Sequence, residues 1–270
     1  MKYARLVSSV RLWVESKLGI SLPETGVVPI PVVAVDHSKS DTHPLWAVRI
    51  ADSVSVVARQ SWVERLRPVV RNLPSDLMFS VFGAYELSRV TLPEGVGVWG
   101  PSWYLFADEI SDEAIENDRS VMVDPSELRN VDWDIFWHCG RDGALAGFAV
   151  FEGDSVVALA TVRDEGEPVW EIGMDVMPNA RGRGLGRVVV GSAMRWILEN
   201  GRMALATVGP FNVPSARTLR SVGLQYVMSD MKGIEGPFRV PPQPIGHPYC
   251  GADLHDYYPS WAMNRDILKR

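Results

Sequence analysis

The chain has 270 residues, of which 46% are hydrophobic and 22% charged, and its formal net charge is −6. This length and composition allow a large core and two lobes, while the acidity disfavours general binding to nucleic acid or anionic membranes. No apolar run is long enough to span a bilayer, and two cysteines, Cys139 and Cys250, are too few for a disulfide framework. The sequence therefore predicts a soluble, cytoplasmic protein.

Residues 1–120 predict an N-terminal α/β lobe whose role the sequence does not reveal. The predicted elements are an amphipathic helix over 3–18, an edge strand over 27–35, a hairpin of 45–50 with 54–59, helices over 62–72 and 76–89, and a strand over 103–106. The run Gly95–Gly100 has the spacing of a dinucleotide fingerprint, but Pro101 and an apolar segment follow it instead of a helix. We interpret it as a turn that leads into a strand.

An acidic segment, 108–118, separates this half from the next one. The sequence predicts a solvated linker here, with a cation-attracting rim for an amine substrate as the alternative. We place the lobe boundary near residues 115–124. Pro125–Cys139 predicts a helix with Asp124 as its candidate cap. His138, among aromatic residues, is predicted to be a partly buried core histidine, with a catalytic base as the alternative.

Alternating patterns in the C-terminal half predict a meander of three antiparallel strands, followed by two helix–strand units. The strands are predicted over 145–151, 155–163, 169–174, 203–208 and 224–228, with helices opening at Leu185 and after Asn212. The order is therefore strand, glycine-rich turn, helix at the centre of this half.

The glycine-rich turn has the properties of an anion site. Gly182, Gly184 and Gly186 allow the main chain to approach a phosphate closely, and the helix that follows presents unpaired N–H groups and the positive end of its dipole. Between Val176 and Ser229 there are seven arginines and one acid, a local charge of +6 in an acidic chain. This predicts a specific polyanionic ligand.

The run Arg181–Gly186 resembles the acyl-CoA signature of the GNAT superfamily of N-acetyltransferases. Asn212–Ser215 and Gly223–Leu224 are similar to the second motif of that family. The resemblance implies a GNAT domain over 121–230, an α/β (α+β) fold whose mixed central sheet has two splayed parallel strands. Some GNAT proteins carry a degenerate second copy of the fold, with which the lobe over 1–120 is compatible. We expect the Pro- and aromatic-rich tail, 231–270, to pack on the body.

The resemblance implies acetyl-CoA or coenzyme A as co-substrate, with no metal. The residues that it assigns to the cofactor are Val176, Arg181, Gly182, Arg183, Gly184, Leu185, Gly186, Arg187, Asn212 and Ser215. Val176 would contact the pantetheine arm through its main chain. For Asn212 the alternative is a simple helix N-cap.

For catalysis, the resemblance points to Glu171, with Asp175 as the second candidate for the base that deprotonates the amine. Many relatives carry a tyrosine acid where this chain has Leu219, so Tyr226 is a candidate from another strand. A strand bulge would change the face that Glu171 occupies.

The function implied is an acyl-CoA-dependent N-acetyltransferase that transfers the acyl group directly to a primary amine of a small molecule or peptide. One alternative is a catalytically degenerate CoA-binding sensor or structural protein. Another is acylation of a macromolecular amine. The sequence leaves a homodimer open.

Overall fold

A computed structural model describes residues 3–23, 29–35, 43–110, 119–128 and 131–235. Within these ranges the helices are α1 (Ala4–Leu18), α2 (Gln60–Asn72), α3 (Ser75–Met78), α4 (Val81–Thr91), α5 (Leu185–Glu199) and α6 (Val213–Ser221). The strands are β1 (Val32–Ala34), β2 (Leu45–Ile50), β3 (Ser53–Ala58), β4 (Val96–Ala107), β5 (Val121–Val123), β6 (Ala146–Glu152), β7 (Ser155–Asp164), β8 (Val169–Val176), β9 (Met203–Val208) and β10 (Gln225–Glu235). The predicted tail lies outside the described residues, apart from 231–235 at the end of β10.

The ten strands of the described ranges form one mixed sheet in the order β1-β3-β2-β10-β4-β9-β8-β7-β6-β5. The predicted α/β class with a mixed sheet is therefore confirmed. Strand β4 lies between β9 and β10, and β10 pairs in turn with β2. The sheet thus runs without a break through both halves of the chain. The domain limits 1–120, 121–230 and 231–270 stay predictions, and the proposed boundary overlaps residues 111–118, which lie outside the described residues.

The sheet has two faces, which we call front and back. The front face carries Glu171, and because directly paired residues share a face, Leu205 of β9 lies on it as well. Leu205 packs in one core cluster with residues of α1, so α1 covers the middle of the front face. Helix α5 covers the back of β6 to β9, and α2 with α4 covers the back of β2 and β3.

Most predicted elements are confirmed within the described residues. The first helix, the β2–β3 hairpin, the three-strand meander and both helices of the C-terminal half are present. Strand β1 lies at the sheet edge, as its prolines predict, but is shorter than expected. Of the Gly95–Gly100 run only Gly95 lies in a turn, in the left-handed region at φ 77°, and the other residues already belong to β4.

The prediction of a helix over Pro125–Cys139 is wrong, because the described residues of this segment form consecutive turns. The Oδ1 atom of Asp124 accepts from the main-chain N–H of Ser126 at 2.8 Å. In the same way, the Oδ1 atom of Asp132 accepts from the main-chain N–H of Asp134 at 3.0 Å. Such bonds compete with helical hydrogen bonds. Phe136 then packs on the front face, and residues 131–139 lie against β7 and β8.

Candidate functional site

The glycine-rich turn connects β8 to α5 and places open main chain at the start of that helix. Gly182 and Gly184 have φ values of 76° and 75°, and Gly184 is the N-cap of α5. An added Cβ at either glycine would meet no atom within 4 Å, so there is free space in front of this turn. The first N–H groups of an α-helix have no partner inside the helix. The turn therefore has both the room and the donors to hold an anion.

Arginine side chains surround this turn. The Nε atom of Arg181 donates to the carbonyl of Val176 at 3.3 Å. Arg183 forms an ion pair with Glu152, which raises the pKa of the guanidinium and lowers the pKa of that carboxyl. A cavity of about 180 Å³ adjoins the turn, and its walls include Arg119, Arg183, Gly184, Arg187, Val188, Gly191 and Val222. The predicted basic environment is present at the start of α5.

The parallel strands β8 and β9 part next to this turn. They pair from Val169 with Met203 to Glu171 with Leu205, and no pair follows, although β8 continues to Val176. The predicted splayed pair of parallel strands is therefore confirmed. No register shift interrupts the pairing of β7 with β8, so β8 has no bulge in this stretch.

In β8, the main-chain N–H and C=O groups of alternate residues point toward the opening between β8 and β9. The N–H of Met177 bonds to the carbonyl of Val157 on β7 at 2.9 Å. Because main-chain groups of successive strand residues point to opposite sides, those of Val176 face the opening toward β9. This is the position that the predicted pantetheine contact of Val176 requires.

The second predicted motif lies at the start of α6. The Oδ1 atom of Asn212 accepts from the N–H of Ser215 at 3.3 Å, so Asn212 caps this helix. The cap was one of the two interpretations of Asn212. Leu219, at the position of the tyrosine in many relatives, is 3% exposed and packs in the core beneath α5.

The structure brings two of the three predicted catalytic residues to one face. Glu171 and Asp175 are four positions apart on strand β8, which has no bulge between them. Because strand side chains alternate between the two faces, both residues occupy the front face. Tyr226 pairs with Leu105, which belongs to the core beneath α5, and its ring contacts Trp103 edge-on at 6.0 Å. The alternation of β10 puts Tyr226 on the back face, away from Glu171 and Asp175, and its role as the acid stays a prediction.

Each front-face carboxylate has a partner. Glu171 accepts from Arg163 of β7 at 2.9 Å, and its side chain is 16% exposed. Asp175 accepts from the main-chain N–H of His138 at 2.8 Å and lies 2.7 Å from the Nδ1 atom of that histidine. The His138 side chain is 41% exposed, so it is more open than the predicted partly buried core position. Its ring lies against Trp137, with ring centroids 3.5 Å apart.

A buried polar cluster on the front face was missed entirely. The Oδ2 atom of Asp230 accepts from Tyr104 and from Trp46, each at 2.7 Å, and Lys232 lies 3.5 Å away. Burial raises the pKa of Asp230. The pKa of Tyr104 is raised as well, mainly by burial and secondly by the charge of Asp230. These residues lie on three strands that are distant in sequence. No local pattern in the sequence could have grouped them.

Two further expectations concern cysteine and metal. Cys139 is buried, and burial raises the pKa of its thiol, which suits a structural role. Among the described residues, no group of three or more His, Cys, Asp or Glu side chains could hold a metal ion. In the same residues, no helix combines the length and apolar character needed to cross a bilayer.

A mixed sheet with a parted parallel pair, beside an anion-binding turn at a helix start, is the arrangement that defines the GNAT class of acetyltransferase folds. Residues 107–224 match the model of the acetyltransferase (GNAT) family. This part of the chain is therefore similar to that family.

The similar solved structures have low sequence identity to this chain. A GNAT-family acetyltransferase of Novosphingobium aromaticivorans is 16% identical, with 52% of this chain and 66% of that chain covered and a TM-score of 0.43. A GNAT-family acetyltransferase of Colwellia psychrerythraea is 11% identical, with 55% of this chain and 61% of that chain covered and a TM-score of 0.41. An aminoglycoside N-acetyltransferase in complex with CoA is 16% identical, with 40% and 88% covered and a TM-score of 0.34.

The chain spans just under two thirds of the length of the first two of these proteins. A comparison with curated proteins finds no match. The similarity to the GNAT family accordingly rests on the match over residues 107–224.

Proposed function

We propose that this protein is an N-acyltransferase that uses acetyl-CoA and transfers the acyl group directly to a primary amine. The observation that carries the proposal is the opening of β8 from β9 after Glu171 and Leu205, next to the start of α5. Main-chain groups that have lost a strand partner in this stretch can pair with the amide groups of a thiol arm.

The residues present fit coenzyme A. Its diphosphate requires donors and positive charge, which the main chain of 181–187 and the side chain of Arg181 supply. Its pantetheine arm requires an extended partner, which the main chain of Val176 and its neighbours offers. When bound, acetyl-CoA would supply an activated acyl group as a thioester. The protein would hold it in place for an amine that approaches from the front face.

The front face carries the polar groups that an amine needs. An ammonium has no free electron pair, so it must lose a proton before it can attack. Glu171 and Asp175 lie on the side of β8 that faces away from α5, and both are flanked by charged or polar partners. We assign the acceptor to this face, as a small-molecule or peptide amine.

Calorimetric titration with coenzyme A, followed by thiol release from acetyl-CoA with a broad panel of amines, tests the proposal. Micromolar binding together with amine-dependent thiol release supports it. A protein that binds neither coenzyme A nor acetyl-CoA would contradict it.

A second candidate function is a CoA-binding sensor or structural protein. The observation in its favour is Leu219, which is buried and supplies no proton donor where many relatives have a tyrosine. The same two measurements separate the candidates, because a sensor binds coenzyme A but releases no thiol with any amine.

A further inference from the structure

We propose that His138 is the base that takes the proton from the acceptor ammonium, and that Asp175 is the positioning residue that holds its ring. The proposal rests on the proposed acyltransferase function, and it names a residue from the turns before β6 as part of the acceptor site. Four features of the front face support it.

The first feature is the pair of contacts between the two residues. Asp175 accepts from the His138 main-chain N–H at 2.8 Å with one oxygen, and its other oxygen lies 2.7 Å from Nδ1. An ionised carboxylate only accepts hydrogen bonds, so Nδ1 carries the proton in this pair. When the ring is neutral, Nε2 then has the electron pair that can take a proton.

The second feature is the exposure of the His138 side chain. The His138 side chain is 41% exposed, whereas the Asp175 side chain is 13% exposed. Within the ranges that the structure describes, no hydrogen bond reaches the Nε2 atom of His138. The carboxylate is thus mostly covered, while a large part of the His138 side chain is open to solvent.

The third feature is the fit between the turn that carries His138 and strand β8. A Cβ on Gly173 would lie 2.0 Å from the carbonyl oxygen of His138, so only glycine allows the turn to lie flat on the strand. Cys139 adds contacts from its Sγ atom to the carbonyls of Leu159 at 3.3 Å and Gly173 at 3.7 Å. These contacts fix His138 over 172–176, the stretch of β8 that has parted from β9.

The fourth feature concerns the competing carboxylate. Glu171 is bound by the Arg163 guanidinium at 2.9 Å and its side chain is 16% exposed. An oxygen of this carboxylate is therefore occupied by a guanidinium, and most of the side chain is covered. The Arg163 chain also packs against Gly140, where an added Cβ would lie 3.3 Å from its Cδ. Among the described residues of this face, Glu171 is therefore engaged in an ion pair, whereas the His138 ring is exposed.

The proton balance is simple. The ammonium gives one proton to Nε2, and the freed electron pair on nitrogen forms the C–N bond to the acyl carbon. The C–S bond breaks with its electron pair on sulfur, which takes the second N–H proton to give the thiol. The imidazolium passes the first proton to solvent, to which the ring is open. The products are an amide, a thiol and one proton.

The first test measures the protonated nitrogen of His138 in the free protein. The chain has five histidines, and the His138→Asn variant identifies the signal by its loss from a long-range ¹H–¹⁵N spectrum. We expect the proton on Nδ1 in the neutral ring. In Asp175→Asn the amide can donate to Nδ1, so we expect the proton to move to Nε2. A wild-type ring protonated on Nε2 would overturn the proposal.

The second test is kinetic. Asn at position 138 keeps a donor near the position of Nδ1 but has no atom at Nε2, so we expect kcat to fall by about 10²-fold with an unchanged affinity for coenzyme A. Added imidazole should restore part of the rate in His138→Ala, because the site is open to solvent. Turnover of His138→Asn within about twofold of wild type would exclude His138 as the base.

Failure of the proposed function gives a different result. A wild-type protein that binds no coenzyme A contradicts the acyltransferase assignment, whereas the tautomer measurement needs neither coenzyme A nor turnover. The two hypotheses can therefore fail separately.

Discussion

Glu171 and Leu205 form the last pair between the parallel strands β8 and β9. Up to this pair the strands share a regular ladder, and beyond it β8 continues as far as Val176 with β7 as its remaining partner. The opening begins on the same strand that ends at the glycine-rich turn. One strand therefore connects the proposed site for the thiol arm with the proposed site for the diphosphate.

This connection makes Gly184 a sensitive position. Glutamate at Gly184 places a bulky negative side chain at the start of α5, and we expect the affinity for coenzyme A to fall by more than about tenfold, measured by calorimetry. The matched control is Gly201→Glu, because Gly201 has a similar φ of 68° and equally free space around its Cβ. It lies beyond the other end of the 15-residue helix, about 22 Å away.

Gly201→Glu should carry the same backbone strain and the same charge but bind coenzyme A with wild-type affinity. Equal losses in both variants would show that strain, and not the anion site, accounts for the effect at Gly184.

Glu171 and His138 should respond differently to neutral replacements. Glu171→Gln keeps the shape of the side chain and weakens the contact with Arg163, so we expect turnover to fall by less than about tenfold. His138→Asn should cost about 10²-fold in the same thiol-release assay. If Glu171→Gln is the more damaging change, Glu171 is the base and the role of His138 is structural.

Gly173 should be intolerant of any side chain. A Cβ there would overlap the His138 carbonyl oxygen at 2.0 Å, so Gly173→Ala must displace the turn and should lower the stability by about 1–3 kcal/mol. Gly191 is the control, because a Cβ inside α5 would meet Val222 at an ordinary 3.7 Å. Alanine at Gly191 should stabilise the protein by about 0.5–1 kcal/mol.

Denaturant unfolding of both glycine variants provides the measurement. A Gly173→Ala protein as stable as wild type would mean that the turn can leave the strand without cost, and it would weaken the assigned position of His138.

The buried Asp230 should make stability depend on pH. Burial raises its pKa in the folded protein above the ordinary value of 3.8, so its contribution is complete below that value and is lost as pH rises through the raised pKa. Asp230→Asn cannot ionise and should show a flatter profile in the acid range. Thermal unfolding of both proteins between about pH 4 and 8 measures the difference.

A wild-type profile that rises over this interval relative to Asp230→Asn would contradict the predicted direction. It would mean that the contacts of Asp230 with Tyr104, Trp46 and Lys232 outweigh its burial.

The sequence determined the parts of this protein that depend on short-range patterns. Alternation and helical spacing specify the meander, α5 and α6, because each element buries one face and must repeat its apolar residues with its own period. Gly182 and Gly184 specify the turn before α5 for the same local reason, since φ values above zero strongly favour glycine. The resemblance to the GNAT family added the opening between β8 and β9, which the pairing confirms.

Only the tertiary structure decided which distant residues meet. Residues 125–139 have the apolar spacing of a helix, but local bonds from Asp124 and Asp132 and packing on β8 give turns instead, and these bring His138 to Asp175. Likewise, β4 enters the sheet between β9 and β10, far from its sequence neighbours. Pairing between strands depends on the free energy of the whole sheet, so the face and neighbours of Tyr226 could not be obtained from the local sequence.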